Sequence, residues 1–316
     1  EHGISGQCAP KDIETAMQLM YLTFVEPRFD QDEYATGIQQ IKAVLPNLKN
    51  NPMFLFQNAV NKIMYGGNER VVELNEETLA AADLETIKKV YTETLFNDAA
   101  GATLTIVGNV DLDALKPMVE KYIGSLPKGK KATEINEANM INRAEGKIEN
   151  IVRLDLATPK STVYQVYTAY MPVDTKTEVV LSAASYVLDM VYTKTLREEE
   201  GGTYGVGVSG NVTRRPKGEF SLTVNFNMAP ERREELAAII VREFEKIAKE
   251  GPADEHLEKV RSYMLKTFEE SQRKNNAWMN WMYSHYFENE NTHDNFESIV
   301  KAMTKEDIRD LAKYIL

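Results

Sequence analysis

One cysteine, Cys8, stands in 316 residues, which excludes an internal disulfide framework and any cysteine-based zinc site. Histidine is almost as scarce, with four residues: His2, His256, His285 and His293. A helical zinc site needs two histidines within about one turn plus a third ligand, and no pair here has that spacing. His285 and Glu288 share a helical face, but Asn289 follows where a second histidine is required, so a surface or interhelical contact is the expected role. Long hydrophobic runs are also missing: no stretch approaches the ~20 apolar residues that span a bilayer. Basic residues are outnumbered, 37 against 48 acidic ones, for a net charge of -11. The average surface field therefore repels a polyanion, and nucleic acid is excluded as an expected partner. No phosphate-binding G-x-x-x-x-G-K-[ST], no G-x-S-x-G and no helix-opening G-x-G-x-x-G occurs. The run Gly205-Val206-Gly207-Val208-Ser209-Gly210 lies in a strand pattern, where close backbone approach is the expected role.

What is present is the composition of a globular protein, 43% hydrophobic and 27% charged. A chain of this length buries roughly 75% of its unfolded surface, enough for two cores. It opens on Glu1-His2-Gly3 with neither an initiator Met nor a signal-like segment, from which an upstream part is expected.

A weak internal repeat organises the chain. Ala9-Pro10 leads into an amphipathic helix, as does Ala229-Pro230. Asp32-Glu33 and Asp254-Glu255 open second helices; Asn50-Asn51 and Asn275-Asn276 precede aromatic and Met-rich ones; Asp83-Leu84 and Asp307-Ile308 start helices carrying Lys89 with Tyr91 and Lys313 with Tyr314. The interval stays near about 222 residues. The first copy runs on into an apolar alternation from Ala102 to Val110, read as a strand, and a helix from Asp111 to Ile123. The second has strands before Ala229 and stops at Leu316. Both chain ends are thus expected inside a module: residues 1–130 as the end of one, 131–147 as a linker and 148–316 as most of another. Lys128 to Lys131 reads as a solvated face.

In the second module, 148–156 and Ser161 to Met171 read as strands. Glu178 to Leu196 reads as a mostly buried helix with a narrow polar stripe at Ser182, Ser185, Asp189 and Thr193. Gly201 and Gly202 end it. Alternation from Tyr204 to Val212 and from Phe220 to Met228, around Arg214-Arg215-Pro216-Lys217-Gly218, predicts an antiparallel hairpin with one wet face. Helices are expected at 231–249, 254–273 and 277–288, with a last one capped by Thr304 through Thr304-x-x-Asp307. Trp278, Met279, Trp281, Met282, Tyr283, Tyr286 and Phe287 are read as core or interdomain packing. The fold class is α+β: two homologous modules, each an antiparallel sheet covered on one face by helices, the first truncated at its N-terminus and the second at its C-terminus.

The stretch Leu196-Arg197-Glu198-Glu199-Glu200-Gly201-Gly202-Thr203-Tyr204-Gly205 joins the buried helix to the glycine-rich strand. Arg197 and Tyr204 can send two different donors into one cleft, with no nucleophile beside them. The structural alternative is that Arg197 complements the helix dipole and Tyr204 caps a core edge. The glutamates read as solvated rather than metal-binding.

Leu196-Arg197, six intervening residues and Tyr204-Gly205 resemble a motif in the C-terminal half of the pitrilysin/insulinase family of zinc metallopeptidases. Pro27-Arg28-Phe29-Asp30 and Val107-Gly108-Asn109-Val110-Asp111 also resemble phrases of that family, and the repeat agrees with its module length. The resemblance implies a third module, incomplete, and most of a fourth, as in the large bacterial members. It implies that zinc is bound by an H-x-x-E-H helix in a missing N-terminal half, a motif this sequence lacks, and that this chain alone binds no metal or other cofactor and cleaves nothing. It further implies that Tyr204 donates to the oxyanion of the tetrahedral intermediate and Arg197 holds a substrate carbonyl. Partners would be a peptide or unfolded protein and the N-terminal half of the same polypeptide, and the compartment would be the periplasm. The competing reading is a non-catalytic peptide-binding or assembly subunit of the same fold; a third is an α+β protein whose Arg/Tyr pair is incidental.

Overall fold

The computed structural model describes residues 3–96, 98–129, 140–154 and 158–316. Glu1, His2, Lys130, Lys131, most of the expected linker and the strand end at Asp155-Leu156 lie outside them. The chain divides into two compact units, Glu1–Leu154 and Asp155–Leu316.

Helices of the first unit start where side chains replace missing backbone acceptors. A three-residue 3₁₀ turn at Pro10–Asp12 feeds α1 (Ile13–Val25). α2 (Gln31–Lys49) begins on Asp30, whose carboxylate accepts from Asp32 N and Glu33 N. Asn51 caps α3 (Pro52–Met64), Asn75 caps α4 (Glu76–Ala81) in a capping box with Thr78, Asp83 caps α5 (Leu84–Val90), and Asp111 caps α6 (Leu112–Met118). Each cap satisfies donors that the first helical turn leaves free. α5 and α6 each run on into a π-helical turn, Tyr91–Leu95 and Val119–Ile123. Among the described residues Met17, Leu115 and Tyr122 form one small buried cluster, with Leu45, Leu79 and Leu126 buried apart from it; Tyr122 Oη donates to Glu14 at 2.8 Å and accepts from Gln18 at 3.0 Å. Residues 140–154 belong to this unit; Ala144 N donates to Met64 O and Arg143 stacks over Tyr65.

No strand forms among the described residues of this unit, which corrects two expectations. Residues 102–107 and 148–154 have the alternation of strands but no ladder. An apolar alternation becomes a strand only when a neighbouring backbone takes up its N–H and C=O groups, and none does so here.

The second unit is built on a three-stranded antiparallel sheet in the order β1-β3-β2. β1 (Ser161–Tyr170) and β2 (Val206–Thr213) both pair with the central β3 (Glu219–Met228), Ser161 opposite Met228 and Val206 opposite Phe226. The expected hairpin is therefore present, but its first strand starts at Val206, leaving Tyr204 in the preceding connection. On β3, Phe220, Leu222, Val224, Phe226 and Met228 are all buried while Asn225 and Asn227 are exposed, the period-two signature of a sheet covered on one face. Covering it are α7 (Thr175–Tyr192), α8 (Arg233–Glu250) and α12 (Lys305–Ile315), each contributing buried side chains to one cluster with the strands. Complete burial of side chains such as Phe244, Ile240 and Leu188 contributes about 1.5–3 kcal/mol apiece.

α7 starts at Thr175, earlier than the periodicity indicates, because Asp174 caps it by accepting from Thr177 N at 2.7 Å. Its polar stripe faces β2 at close quarters: a Cβ on Gly210 would stand 2.5 Å from Ser185 Oγ, so the close approach expected of the glycine run occurs here. α9 (Asp254–Ser271), α10 (Asn275–Glu288), α11 (Thr292–Ala302) and α12 complete the unit; α11 has no counterpart in the sequence reading. Arg214, after β2, is held by Glu178 of α7 and by Glu288 of α10, the latter at 2.5 Å. Glu288, considered above beside His285, is thus an interhelical anchor.

Core packing, one of the two roles expected of the aromatic patch beside interdomain packing, is corrected. α10 has no fully buried residue, and Trp278, Met279, Tyr283 and Tyr286 are exposed. A helix that is apolar around most of its circumference cannot turn every face to one neighbour. Trp281 is the inward member, with its ring centroid 5.5 Å from that of Phe268.

Candidate functional site

The connection between α7 and β2 carries the candidate residues. α7 does not stop at Tyr192; it widens into a π-helical turn, Thr193–Glu199, a local insertion of the kind often found at functional sites. Within this turn Leu196 is wholly buried, and it fixes the register of its neighbour Arg197, which is exposed. Among the described residues Arg197 has no hydrogen bond or ion pair.

The turn ends on glycine. Gly201 sits at φ +58°, the left-handed region that favours glycine, and Gly202 N donates to Leu196 O at 2.9 Å, closing the helix terminus as a helix-ending glycine pair does. Gly202 is also pressed on α8: a Cβ there would lie 2.6 Å from Leu236 Cδ1. Thr203 Oγ1 then donates to Gly205 O at 2.9 Å. Tyr204 lies between these two tethered residues with a relative accessibility of 101%, so its ring and hydroxyl touch nothing. β2 begins two residues later.

Of the three glutamates, Glu198 and Glu199 are exposed. Glu200 is held by Arg232, whose Nη1 donates to the Glu200 carbonyl at 2.8 Å and whose Nη2 donates to its carboxylate at 2.9 Å. On the other side of the junction, burial pushes the Asp189 carboxyl above its usual range, opposed by the Val208 N–H that donates to it. α7 therefore meets the start of β2 through a carboxylate as well as through Gly210.

The structure places Arg197 and Tyr204 at opposite ends of one short connection, both with free donors and both on a restrained backbone. Tyr204 caps no core edge. Arg197 does lie in the last turn of its helix, so a contribution to the helix dipole is compatible with its place. Sequence reasoning missed Arg232. Arg232 is the N-cap of α8 and makes no capping bond, and a cation at that end opposes the helix dipole, but what it holds is set by packing and leaves no signal in the sequence.

The three histidines among the described residues do not converge. His256 lies beside Glu255 at 3.8 Å, its pKa lowered chiefly by burial. His285 is exposed. His293 bonds Asp294 at 2.8 Å and sits against the rings of Trp278 and Trp281, both at 4.8 Å between centroids. Among the described residues no three His, Cys, Asp or Glu side chains gather as a metal site would require, and no helix is long and apolar enough to cross a membrane.

Comparison with known proteins gives one family. Residues 83–264 match the model of the peptidase M16 inactive domain. A zinc protease PQQL-like protein of Arabidopsis thaliana is 25% identical over 294 residues, 85% of this chain and 29% of its own. The periplasmic protease PqqL of Escherichia coli superposes with a TM-score of 0.81 at 21% identity, over 97% of this chain and 34% of its own. The ferredoxin protease FusC, solved in complex with Arabidopsis ferredoxin, gives a TM-score of 0.77 at 16% identity, over 97% of this chain and 33% of its own. The chain thus spans about a third of the length of these relatives. The described residues do not fit the zinc in the first relative's name: they offer no cluster to hold it.

Proposed function

Because the chain belongs to the peptidase M16 inactive domain family, whose relatives are named zinc proteases, we propose that it is the substrate-clamping, C-terminal half of a zinc-dependent endopeptidase. In this reading residues 1–130 and 148–316 are parts of a third and a fourth homologous module, joined by 131–147. They close with an N-terminal half of the same polypeptide around a peptide or unfolded protein. The zinc centre and the nucleophile it would supply are assigned to that other half. The chain by itself is inactive. The compartment is the periplasm, as the name of the Escherichia coli relative has it for that protein.

Two roles fall to this chain. Tyr204 donates its hydroxyl to the oxygen that gains negative charge when the scissile carbonyl becomes tetrahedral. Arg197 donates to a neighbouring substrate carbonyl and fixes the peptide's register. Both are donors held out before substrate arrives, so little reorganisation is left for the moment of reaction, and a donor aimed at developing charge is worth ~10²–10³ in kcat. One observation carries this reading: Tyr204 is entirely unpacked on a backbone whose neighbours Gly202, Thr203 and Gly205 are all tied down. An aromatic residue exposed in this way on a restrained loop has its contacts elsewhere.

The test is Tyr204→Phe in the complete polypeptide, assayed on a fluorogenic peptide. The expected outcome is a kcat lower by ~10²–10³ with KM and melting temperature nearly unchanged. Unchanged kcat removes the oxyanion role, and absence of hydrolysis by the unsubstituted complete polypeptide favours the non-catalytic peptide-binding reading.

A further inference from the structure

Arg232 stands where helix energetics disfavour it. It occupies the N-cap of α8, makes no capping bond there, and puts a positive charge at the positive end of the helix dipole. A residue that conflicts with its local element usually answers to something outside it. Here its guanidinium is used on two sides. Towards its own helix, Nε donates to Glu235 Oε2 at 3.0 Å and Nη2 to Glu235 Oε1 at 2.7 Å, a two-pronged pairing that fixes the plane of the group. Towards the α7–β2 connection, it grips Glu200 by both carbonyl and carboxylate. Next to it, Leu236 of the same helix receives Gly202, with no room for a side chain between them. The first turn of α8 therefore holds the connection at Glu200 and Gly202, while β3 holds its far end by pairing with Val206. Tyr204 is suspended between the two.

We propose that Arg232, oriented by Glu235, is a positioning residue: it clamps the Glu200–Gly202 turn and so sets where the Tyr204 hydroxyl stands. The inference rests on the oxyanion role proposed for Tyr204. Arg232 touches neither substrate nor reacting atoms; its effect passes through the loop. Losing the clamp leaves the Gly201-Gly202 pair, the most permissive part of the connection, to wander, and a misplacement of about 1 Å at a reacting group can cost up to ~10²-fold in rate.

The test uses the complete polypeptide with Arg232→Gln, alone and combined with Tyr204→Phe. Arg232→Gln is expected to speed amide exchange at residues 200–205 without changing it in β3. It is also expected to lower kcat about 10-fold with little change in KM, and to add almost nothing to the loss already caused by Tyr204→Phe, since the two act as one unit. Arg232→Lys, which keeps the charge and loses the fork, is expected to fall between. Unchanged exchange at 200–205 overturns the clamp whatever the kinetics show. Fully additive losses in the double variant overturn its action through Tyr204. If Tyr204→Phe by itself leaves kcat intact, the underlying reading fails, and the exchange measurement still separates that failure from failure of the clamp.

Discussion

The two units use similar helices and hold them by different means. α1 to α5 and α8 to α12 follow in the same order, each series entered through Ala-Pro and a three-residue 3₁₀ turn. In the second unit α8 buries Leu236, Ile239, Ile240, Phe244, Ile247 and Ala248. Its positional counterpart α1 buries Met17 alone and leaves Leu19 60% and Leu22 45% exposed. Capping does not follow burial. α2 to α6 all begin on a side-chain cap, whereas α8 to α11 have none. Of the three helices that cover the sheet, α7 and α12 begin on side-chain caps and α8 does not, and α1 of the first unit has none either, so the units differ in burial, which outweighs a cap by several-fold.

The largest expected effect tests the burial side of that contrast. Phe244→Ala removes a side chain packed against Tyr167, ring centroids 4.8 Å apart, and should destabilise the second unit by about 3–5 kcal/mol. Leu19→Ala in the first unit should change stability by no more than about 0.5 kcal/mol. Amide exchange resolved by unit distinguishes them, and comparable losses would break the contrast. Of intermediate size, Asn75→Ala and Thr304→Ala each remove a capping box, one per unit. Each should cost ~1 kcal/mol; similar values would show that caps act locally regardless of the core beneath.

A smaller effect is expected at high pH. Burial, with Glu245 nearby, pushes the Tyr167 hydroxyl up to about 12. The folded state therefore keeps this proton where the unfolded chain, titrating near 10, releases it. Stability of the second unit should hold below pH 10 and decline between pH 10 and 12. Urea unfolding at pH 9 and 11 reads this, and Tyr167→Phe should lessen the decline, the remainder belonging to Tyr192, whose hydroxyl burial raises as well.

Much of the second unit was legible because its signals are local. The alternation of β3 from Phe220 to Met228, the Thr304-x-x-Asp307 capping box and the glycine stop after α7 all depend on residues a few positions apart. α11 was missed, although Phe296, Ile299, Val300 and Met303 have helical spacing, because it is short and follows an unbroken aromatic stretch. The strands expected at 102–110 and, within its described part, at 148–154 failed for another reason: their alternation is real, but pairing is decided by a second backbone. At the site, the sequence marked Arg197 and Tyr204 and put Tyr204 in the strand. It could not mark Arg232, 32 residues from Glu200, since that bond exists only once α8 lies beside the end of α7.

By itself, the amino-acid sequence determined most of the helices, the Thr304 capping box and the glycine that releases the chain after Glu200, since these follow from backbone sterics and hydrogen bonds within a turn or two. The tertiary structure alone decided which alternating runs became strands, which apolar faces were buried, and that Tyr204 stands free on a loop gripped from α8. Those outcomes depend on groups distant in the chain meeting at hydrogen-bond or van der Waals range, and no local spacing encodes that meeting.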